Sequence, residues 1–137
     1  MPDKISGAKV KNMTTIENEY FAKKLGFEIV ERKPDFVKIK ATPQNDDTNA
    51  LDLVHGGFLF SMADYCAALL ANQNGKKAVS CNANILYIKP AKPLCEIFAK
   101  AKTVFESEKT LVALVEIACG GETLATMQTQ LIVKKSL

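Results

Sequence analysis

Asp64 is the residue of this sequence whose chemistry most needs an explanation. It lies in LVHGGFLFSMADYCAALLAN, residues 53–72, where every other residue except His55 is apolar, small or uncharged. A carboxylate in apolar surroundings costs several kcal/mol unless it is paired, hydrogen-bonded or next to water. Asp64 can therefore be a base or nucleophile. Three structural roles are also open: a hydrogen bond within the subunit, a contact between subunits, or a position where the helix reaches solvent.

Gly56 and Gly57 stand where a helix is predicted to begin. Helix N-termini offer unpaired N–H groups and a partial positive charge, which stabilise a developing oxyanion. Acyl transfer needs such donors and a carboxylate within reach of one carbonyl carbon. Gly56 and Asp64 are eight residues apart, which is about 12 Å along one helix axis. We therefore expect a composite site across a two-fold dimer interface, with Gly56 and His55 of one subunit facing Asp64 of the other.

His55 and Asn49 are the next candidates. His55 can polarise or position a carbonyl group at the helix mouth, or it can make only a loop contact. Asn49 lies six residues earlier in a polar loop, and it can orient a carboxylate or substrate or be a turn residue. A Ser-His-Asp hydrolase is disfavoured because the sequence has no Gly-x-Ser-x-Gly motif and Ser61 lies about 9 Å further along the helix axis.

Asn82 and Asn84 lie on a predicted strand, VSCNANILYIKP, residues 79–90. Simple alternation places both on one strand face, together with Ser80, Leu86 and Ile88. We expect this face to be buried because two of its members are large and apolar. An amide there can hold a water molecule, or it can mark an exposed edge.

The elements that position these residues are two helices and six strands. The pattern predicts a helix over 16–25 that Thr15 caps and Gly26 ends, and two strands on either side of a turn at 33–35. A polar loop over 44–53 leads into a long helix from 56–57 to about 72, which is apolar on nearly every face and so enclosed. Four strands follow as a predicted antiparallel meander, at 78–88, 94–105, 110–119 and 122–133. This predicts an α+β hotdog fold, in which an antiparallel sheet of five or six strands wraps around one long central helix. Because such a sheet has open edges, we expect a homodimer, arranged as a dimer of dimers.

Composition narrows the class of protein further. The 137 residues predict one domain, 1–137, with a flexible start over 1–15. The net charge of +3 is mild and its lysines are scattered, so we expect no nucleic-acid partner. No apolar run resembles a signal peptide or a membrane span, which predicts a cytoplasmic protein without a membrane partner. The four cysteines are expected to be small core residues, and a single histidine argues against a metal site.

Three segments carry a resemblance to a known family: Asn49, VHGGFLFSMAD at 54–64, and ILYIKPA at 85–91. With this spacing the chain, over about residues 20–134, resembles the hotdog-fold acyl-CoA thioesterases of the phenylacetic-acid-degradation (PaaI-like) type. The resemblance implies hydrolysis of a coenzyme A thioester to free acid and coenzyme A without a cofactor. It implies that Asp64 is base or nucleophile, that Gly56 donates the oxyanion N–H, and that Asn49 assists near Asp64 with His55 at the substrate carbonyl.

The chain departs from the family pattern at two places. Where relatives often have Ser or Thr to position water, this chain is expected to have Asn82, which can still hold a water molecule but can also slow or redirect hydrolysis. Where relatives have Gly-Asp after the Lys-Pro segment, this chain has Leu94-Cys95, which leaves its coenzyme A contacts open. We expect Lys89 near the channel mouth to meet coenzyme A phosphates, with Gly57 and Asn84 as further substrate contacts.

Two other functions on the same fold are weighed against the thioesterase. A non-hydrolytic acyl-CoA binding protein is the main alternative, although binding alone does not need a buried carboxylate. A dehydratase of this fold would be expected to have a His-Phe-Pro signature, whereas His55 here is followed by two glycines. The acyl group stays open, because an aromatic helix face such as Phe58, Phe60 and Tyr65 is more often plain core.

Overall fold

The structure is a computed structural model that describes residues 15–134 of the chain. A six-stranded antiparallel sheet curves around one long helix, which is the predicted architecture. In chain order the elements are a 3-10 turn Ile16–Asn18, α1 Tyr20–Lys24, β1 Glu28–Lys33, β2 Phe36–Ala41, a 3-10 turn Asn45–Asp47, α2 Gly56–Ala71, β3 Lys77–Tyr87, β4 Ile97–Glu106, β5 Thr110–Cys119 and β6 Glu122–Lys134.

The strand order is β1-β2-β4-β5-β6-β3, so the predicted meander is right for β4 to β6 and wrong for β3. β3 pairs with β6, and β4 pairs with β2. A hairpin between β3 and β4 would need a short loop of two to five residues. The actual connection is longer and is fixed elsewhere, because Val54 N donates to Ala91 O at 2.8 Å and Leu94 N donates to Pro43 O at 2.7 Å. It therefore carries the chain from β3, at one edge of the sheet, to β4, which lies between β2 and β5.

The core lies between α2 and the concave face of the sheet. Small residues on β4, β5 and β6 are fully buried and let the helix approach closely; they are Ala99, Ala101, Ala113 and Ala125. α2 was expected to be enclosed on nearly every face, but one stripe stays partly accessible. Its members recur at helical spacing and are Gly57, Phe60, Ser61, Asp64 and Ala68. Asp64 thus lies on the open side of the helix.

The predicted first helix over 16–25 is wrong as a single element. Glu19 is extended, with φ −64° and ψ 143°, and separates the 3-10 turn from α1. Thr15 makes no side-chain cap, whereas Gly26 ends the segment with φ +77°, as expected for a helix stop. The predicted flexible start falls, except for Thr15, outside the described residues. Over residues 15–134 no helix is long and apolar enough to cross a membrane.

The cysteines differ from the expectation that all four are core residues. Cys66 is buried, Cys81 is exposed, and Cys95 and Cys119 form a disulfide in a partly exposed position. The pairing arises because the connection before β4 passes the end of its neighbour β5, which alternation patterns do not reveal. Within the described residues no group of three or more His, Cys, Asp or Glu side chains is placed to share a metal ion.

Candidate active site

The N-terminus of α2 presents a free hydrogen-bond donor at Gly56. Among residues 15–134, no hydrogen-bond acceptor contacts the Gly56 N–H. His55 is the N-cap residue, and its Nδ1 accepts from Gly57 N at 2.8 Å. Since the Gly57 N–H is already used within the chain, Gly56 is the donor left for an oxyanion. A contact of Gly57 with substrate stays a prediction, and it cannot use that N–H while His55 holds it.

His55 is exposed and its position is fixed from two sides. Its backbone N donates to Asp47 O at 2.9 Å, and its Nδ1 is the acceptor for Gly57. A neutral imidazole that accepts at Nδ1 carries its proton on Nε2. His55 therefore offers an Nε2–H donor at the start of α2, where it lines a pocket with Gly57, Phe58 and Ser61.

Asn49 shapes the loop that leads into α2. Its Oδ1 accepts from Leu51 N at 2.9 Å and from Leu53 N at 3.2 Å. This is the turn role that the sequence left open. The structure does not bring Asn49 to Asp64 within one chain's hydrogen-bond network, so its predicted role beside a carboxylate stays a prediction.

A cleft of about 360 Å³ opens beside the start of α2. Its polar lining includes Asn49, Gly56, Tyr87 and Lys89, and its apolar lining comes mainly from Leu53, Leu59 and Ile88. Tyr87 is a residue that the sequence analysis did not single out. Its Oη donates to Gly56 O at 3.1 Å, which joins β3 to the first residue of the helix.

Lys89, which the sequence analysis expected near a channel mouth, lines this cleft and already has an ionic partner. Its Nζ is 2.7 Å from Glu122 Oε2, and both side chains are exposed. The hydrogen bond and charge of Lys89 lower the pKa of Glu122. A phosphate group would have to compete with this exposed and salt-sensitive ion pair, so the phosphate contact stays a prediction.

Asp64 is half-buried and hydrogen-bonded, so it is not an unpaired carboxylate. Its Oδ1 accepts from Ser80 Oγ at 2.9 Å. Ser80 occupies the place where the sequence analysis expected Asn82. A hydroxyl group therefore contacts Asp64, from a residue two positions before the Asn82 that was expected there.

A β-bulge explains why Asn82 was misplaced. The pairing of β3 with β6 shifts register between Ser80 and Asn82, and an extra residue reverses the faces that follow it. Ser80 consequently faces α2, whereas Asn82 and Asn84 line a shallow pocket with Gln128 on the opposite face of the sheet.

The expectation of a buried face for Asn82 and Asn84 is therefore wrong. Leu86 on the same face is 60% exposed. Within one chain neither amide approaches Asp64, and a substrate contact of either residue stays a prediction.

A second carboxylate lies near Asp64. Glu19 is partly buried, and burial first and the charge of Asp64 second raise the pKa of Glu19 above its ordinary value. Tyr65, the next residue of α2, donates from its Oη to Ile16 O at 2.9 Å. Burial and the nearby charges of Glu19 and Glu17 raise the pKa of Tyr65 to about 12. The N-terminal segment thus closes over α2 beside the candidate base.

Gly56 and Asp64 are not brought to one point within a chain. Both lie on α2, and eight residues separate them, so about 12 Å of helix axis lies between the oxyanion donor and the carboxylate. The chain therefore has two separate groups of candidate residues: the Gly56 half-site, with His55 and Tyr87, and the Asp64 half-site, with Ser80.

Comparisons with known proteins show the family to which the chain belongs. The Thioesterase superfamily model matches residues 51–126. The acyl-coenzyme A thioesterase PaaI of Escherichia coli K12 is 31% identical over 101 residues, covering 74% of this chain and 72% of that protein. The solved structure of E. coli PaaI gives a TM-score of 0.82 with 28% identity, and the match covers 85% of each chain. A candidate esterase of Archaeoglobus fulgidus is 33% identical over 101 residues, covering 74% of this chain and 66% of that protein. The chain thus spans about two thirds of the length of these curated relatives.

A sheet wrapped around one helix, with a free N–H at the helix start and a carboxylate on its open stripe, defines the class of hotdog thioesterases. The chain belongs to the thioesterase superfamily and is similar to its PaaI-like members. The predicted fold and family are confirmed, and the comparisons support the predicted class of enzyme, a thioester hydrolase.

Proposed function

We propose that this protein hydrolyses acyl-CoA thioesters to a free acid and coenzyme A. The observation that carries the proposal is the pair of half-sites on α2: a free N–H at Gly56 and an Asp64 carboxylate held by Ser80. The E. coli relative is named as an acyl-coenzyme A thioesterase, which supports the substrate class. A protein that only binds acyl-CoA would need neither a half-buried carboxylate nor a hydroxyl to orient it.

The carbonyl oxygen of the thioester is the group that the Gly56 half-site suits. It would accept from Gly56 N–H and from His55 Nε2–H, and both hydrogen bonds strengthen as negative charge develops on that oxygen. The partial positive charge of the α2 N-terminus acts in the same direction. This half-site therefore stabilises a tetrahedral intermediate more than it stabilises the substrate.

Asp64 supplies the other half of the reaction. As a general base it takes a proton from water, and the water oxygen forms a bond to the carbonyl carbon. The C–S bond then breaks, the thiolate of coenzyme A leaves and takes up a proton, and the acid remains. As a nucleophile, Asp64 would instead bond to the carbonyl carbon, and the C–S bond would break to release the coenzyme A thiolate, which takes up a proton. Water would then hydrolyse the resulting anhydride to the free acid and the Asp64 carboxylate. In both routes Ser80 Oγ–H fixes one carboxylate oxygen and leaves Oδ2 for the reaction.

The site is proposed to be composite, with each half from a different subunit. About 12 Å along α2 is too far for Gly56 and Asp64 to act on one carbonyl carbon, so the partner's helix must run antiparallel beside the first. β3 is an edge strand of the sheet over the described residues, and open edges are paired or covered in natural proteins. Pairing of β3 with a second copy would give a homodimer, and a dimer of dimers is the expected further assembly.

Replacement of Asp64 by Asn tests the proposal. Release of free thiol from a panel of acyl-CoA substrates is measured for the wild type and for Asp64→Asn. The variant should lose at least about a hundredfold in kcat, the scale of a lost acid–base group, with an unchanged melting temperature. Asp35→Asn, in the exposed turn between β1 and β2, is the control and should keep wild-type turnover. Near wild-type turnover of Asp64→Asn would contradict the assignment, and no turnover of any acyl-CoA by the wild type would contradict the proposed activity.

A further inference from the structure

Tyr87 and His55 hold opposite ends of one peptide group. The Oη of Tyr87 donates to Gly56 O at 3.1 Å, and Gly57 N donates to Nδ1 of His55 at 2.8 Å. Gly56 O and Gly57 N belong to the same peptide unit. A hydrogen bond into the carbonyl polarises that unit, so its N–H becomes a stronger donor. The hydroxyl of Tyr87 is thus linked to the imidazole of His55 through the backbone alone.

Close packing adds to this link. A Cβ on Gly56 would lie 3.2 Å from both Cζ and Oη of Tyr87, so the ring rests against the first residue of α2. A side chain at position 56 would make the Tyr87 ring move by a few tenths of an ångström, whereas the backbone of Gly56 itself is ordinary for the first residue of a helix. Tyr87 is half-exposed and its ring borders the cleft beside α2. The tyrosine is therefore placed to act on the Gly56–Gly57 peptide.

The tautomer of the His55 imidazole depends on the Gly56–Gly57 peptide group. As long as Gly57 N–H occupies Nδ1, the neutral ring has its proton on Nε2 and directs a donor outwards. Without that bond the imidazole can take the other tautomer, in which Nε2 is an acceptor. An acceptor beside the free N–H of Gly56 would repel a developing oxyanion instead of stabilising it.

We propose that Tyr87 is a positioning residue that, through the Gly56–Gly57 peptide, holds His55 as its Nε2–H tautomer. In catalysis the Nε2–H of His55 would then be a second donor to the thioester carbonyl oxygen that Gly56 N–H is proposed to bind. The catalytic consequence rests on the proposed function, whereas the tautomer itself does not.

The chain has one histidine and three tyrosines, which makes the test direct. Two-bond 1H–15N spectra of tag-free protein report the imidazole tautomer from one spin system. The wild type should be in the Nε2–H form. In Tyr87→Phe the two nitrogen shifts should move toward each other as the tautomers mix, and the Gly57 amide proton should move upfield. Tyr20→Phe is the matched control, because Tyr20 is 79% exposed and its variant should reproduce the wild-type spectrum.

Turnover provides the second reading. Tyr87→Phe should lower kcat by about three- to tenfold, less than the loss of an oxyanion donor itself, with KM changed less than about twofold. If the imidazole tautomer and the Gly57 amide chemical shift in Tyr87→Phe were the same as in the wild type, the proposal would be overturned. A changed tautomer with unchanged kcat would overturn its catalytic part.

Two further outcomes are separable from these. If the wild type hydrolyses none of the acyl-CoA substrates, the proposed function fails, and the spectra still decide the role of Tyr87. If Tyr87→Phe does not fold, Gly56→Ala replaces it, because its Cβ must push the Tyr87 ring away. The imidazole of that variant should change in the same direction, and a wild-type spectrum would overturn the proposal.

Discussion

Complementation between two inactive variants tests the composite site most sharply. One chain carries Asp64→Asn and lacks the base. The other carries Gly56→Pro, which removes the free N–H. The structure favours proline at this place, because Gly56 is the first residue of α2 and His55 before it is extended, with φ −60° and ψ 137°. Gly56→Ala is the matched control: it brings the same Cβ against Tyr87 and keeps the N–H.

The expected activities follow from counting sites in a two-fold dimer. Each homodimer has the same lesion in both sites and should retain about 1% or less of wild-type kcat, since either lost group costs about a hundredfold or more. In the heterodimer, one site combines the intact Gly56 of one chain with the intact Asp64 of the other. The second site has both lesions. The heterodimer should therefore show about half the wild-type activity per dimer.

The assay uses two different affinity tags and purification on both in sequence, so that only heterodimers are measured. Gly56→Ala homodimers should lose no more than a few-fold, the cost of shifting the Tyr87 ring. If each subunit had a complete site of its own, every site of the heterodimer would carry one lesion. The purified heterodimer would then stay near 1%, and the argument from the 12 Å helix spacing would be refuted.

Three further predictions concern single residues. Ser80→Ala removes one hydrogen bond to the Asp64 carboxylate and should lower kcat by about tenfold, with little change of melting temperature. Glu19→Gln should raise the melting temperature at pH 7 but not near pH 4. The folded state raises the pKa of Glu19, so the wild type loses stability as the pH rises through that pKa and the carboxyl group becomes charged. In a Cys81→Ser variant a thiol reagent should modify Cys66, whose pKa burial raises to about 12, only after unfolding. The first expectation would be contradicted if Ser80→Thr, which keeps the hydroxyl, lost as much turnover as Ser80→Ala. The second would be contradicted if Glu19→Gln changed the melting temperature equally at both pH values, and the third if the folded Cys81→Ser variant were labelled rapidly.

The sequence was most informative where one periodic pattern dominates. α2 was predicted almost to the residue, because its apolar run begins at the Gly56-Gly57 pair and ends before Asn74-Gly75. The bounds of β5 were predicted correctly for the same reason, with a tight turn on each side. Asp64 was recognisable as a candidate base because no other residue of the segment 53–72 is acidic. These features depend on residues that are close in sequence.

The features that sequence reasoning missed depend on register and long-range pairing. Alternation cannot indicate a bulge, so Ser80 and Asn82 were predicted on one face of β3, whereas they lie on opposite faces. The partner of β3 was also wrong, since neighbouring strands in sequence often pair and this one does not. Tyr87 looked like an ordinary strand residue because its contact with Gly56 joins positions 31 apart. A tyrosine on the strand after the helix gives no local signal of such a contact.

β3 touches both half-sites and so relates the chemistry to the assembly. Ser80, near its start, holds Asp64, and Tyr87, at its end, holds Gly56. If two β3 strands pair antiparallel, the Tyr87 end of one subunit lies beside the Ser80 end of the other. Opposed residues share a face in such a pair. The register must also allow for the extra residue of the bulge between Ser80 and Asn82. Pairing of Ser80 with Tyr87 across the interface then places the two-fold axis at Asn84.

This register predicts that Asn84 faces its own copy across the dimer axis. With Cys81 replaced by Ser, an added Asn84→Cys should form an intersubunit disulfide on mild oxidation, because opposed Cβ atoms lie about 4.5–5.5 Å apart. Gln128→Cys is the matched control: it pairs with position 84 on the neighbouring strand β6 and faces the same side, but lies one strand away from the edge. Non-reducing gels should show a covalent dimer for Asn84→Cys alone. Dimers of both variants or of neither would mean that the subunits do not meet along β3, and the two half-sites would then have to be joined by a different contact.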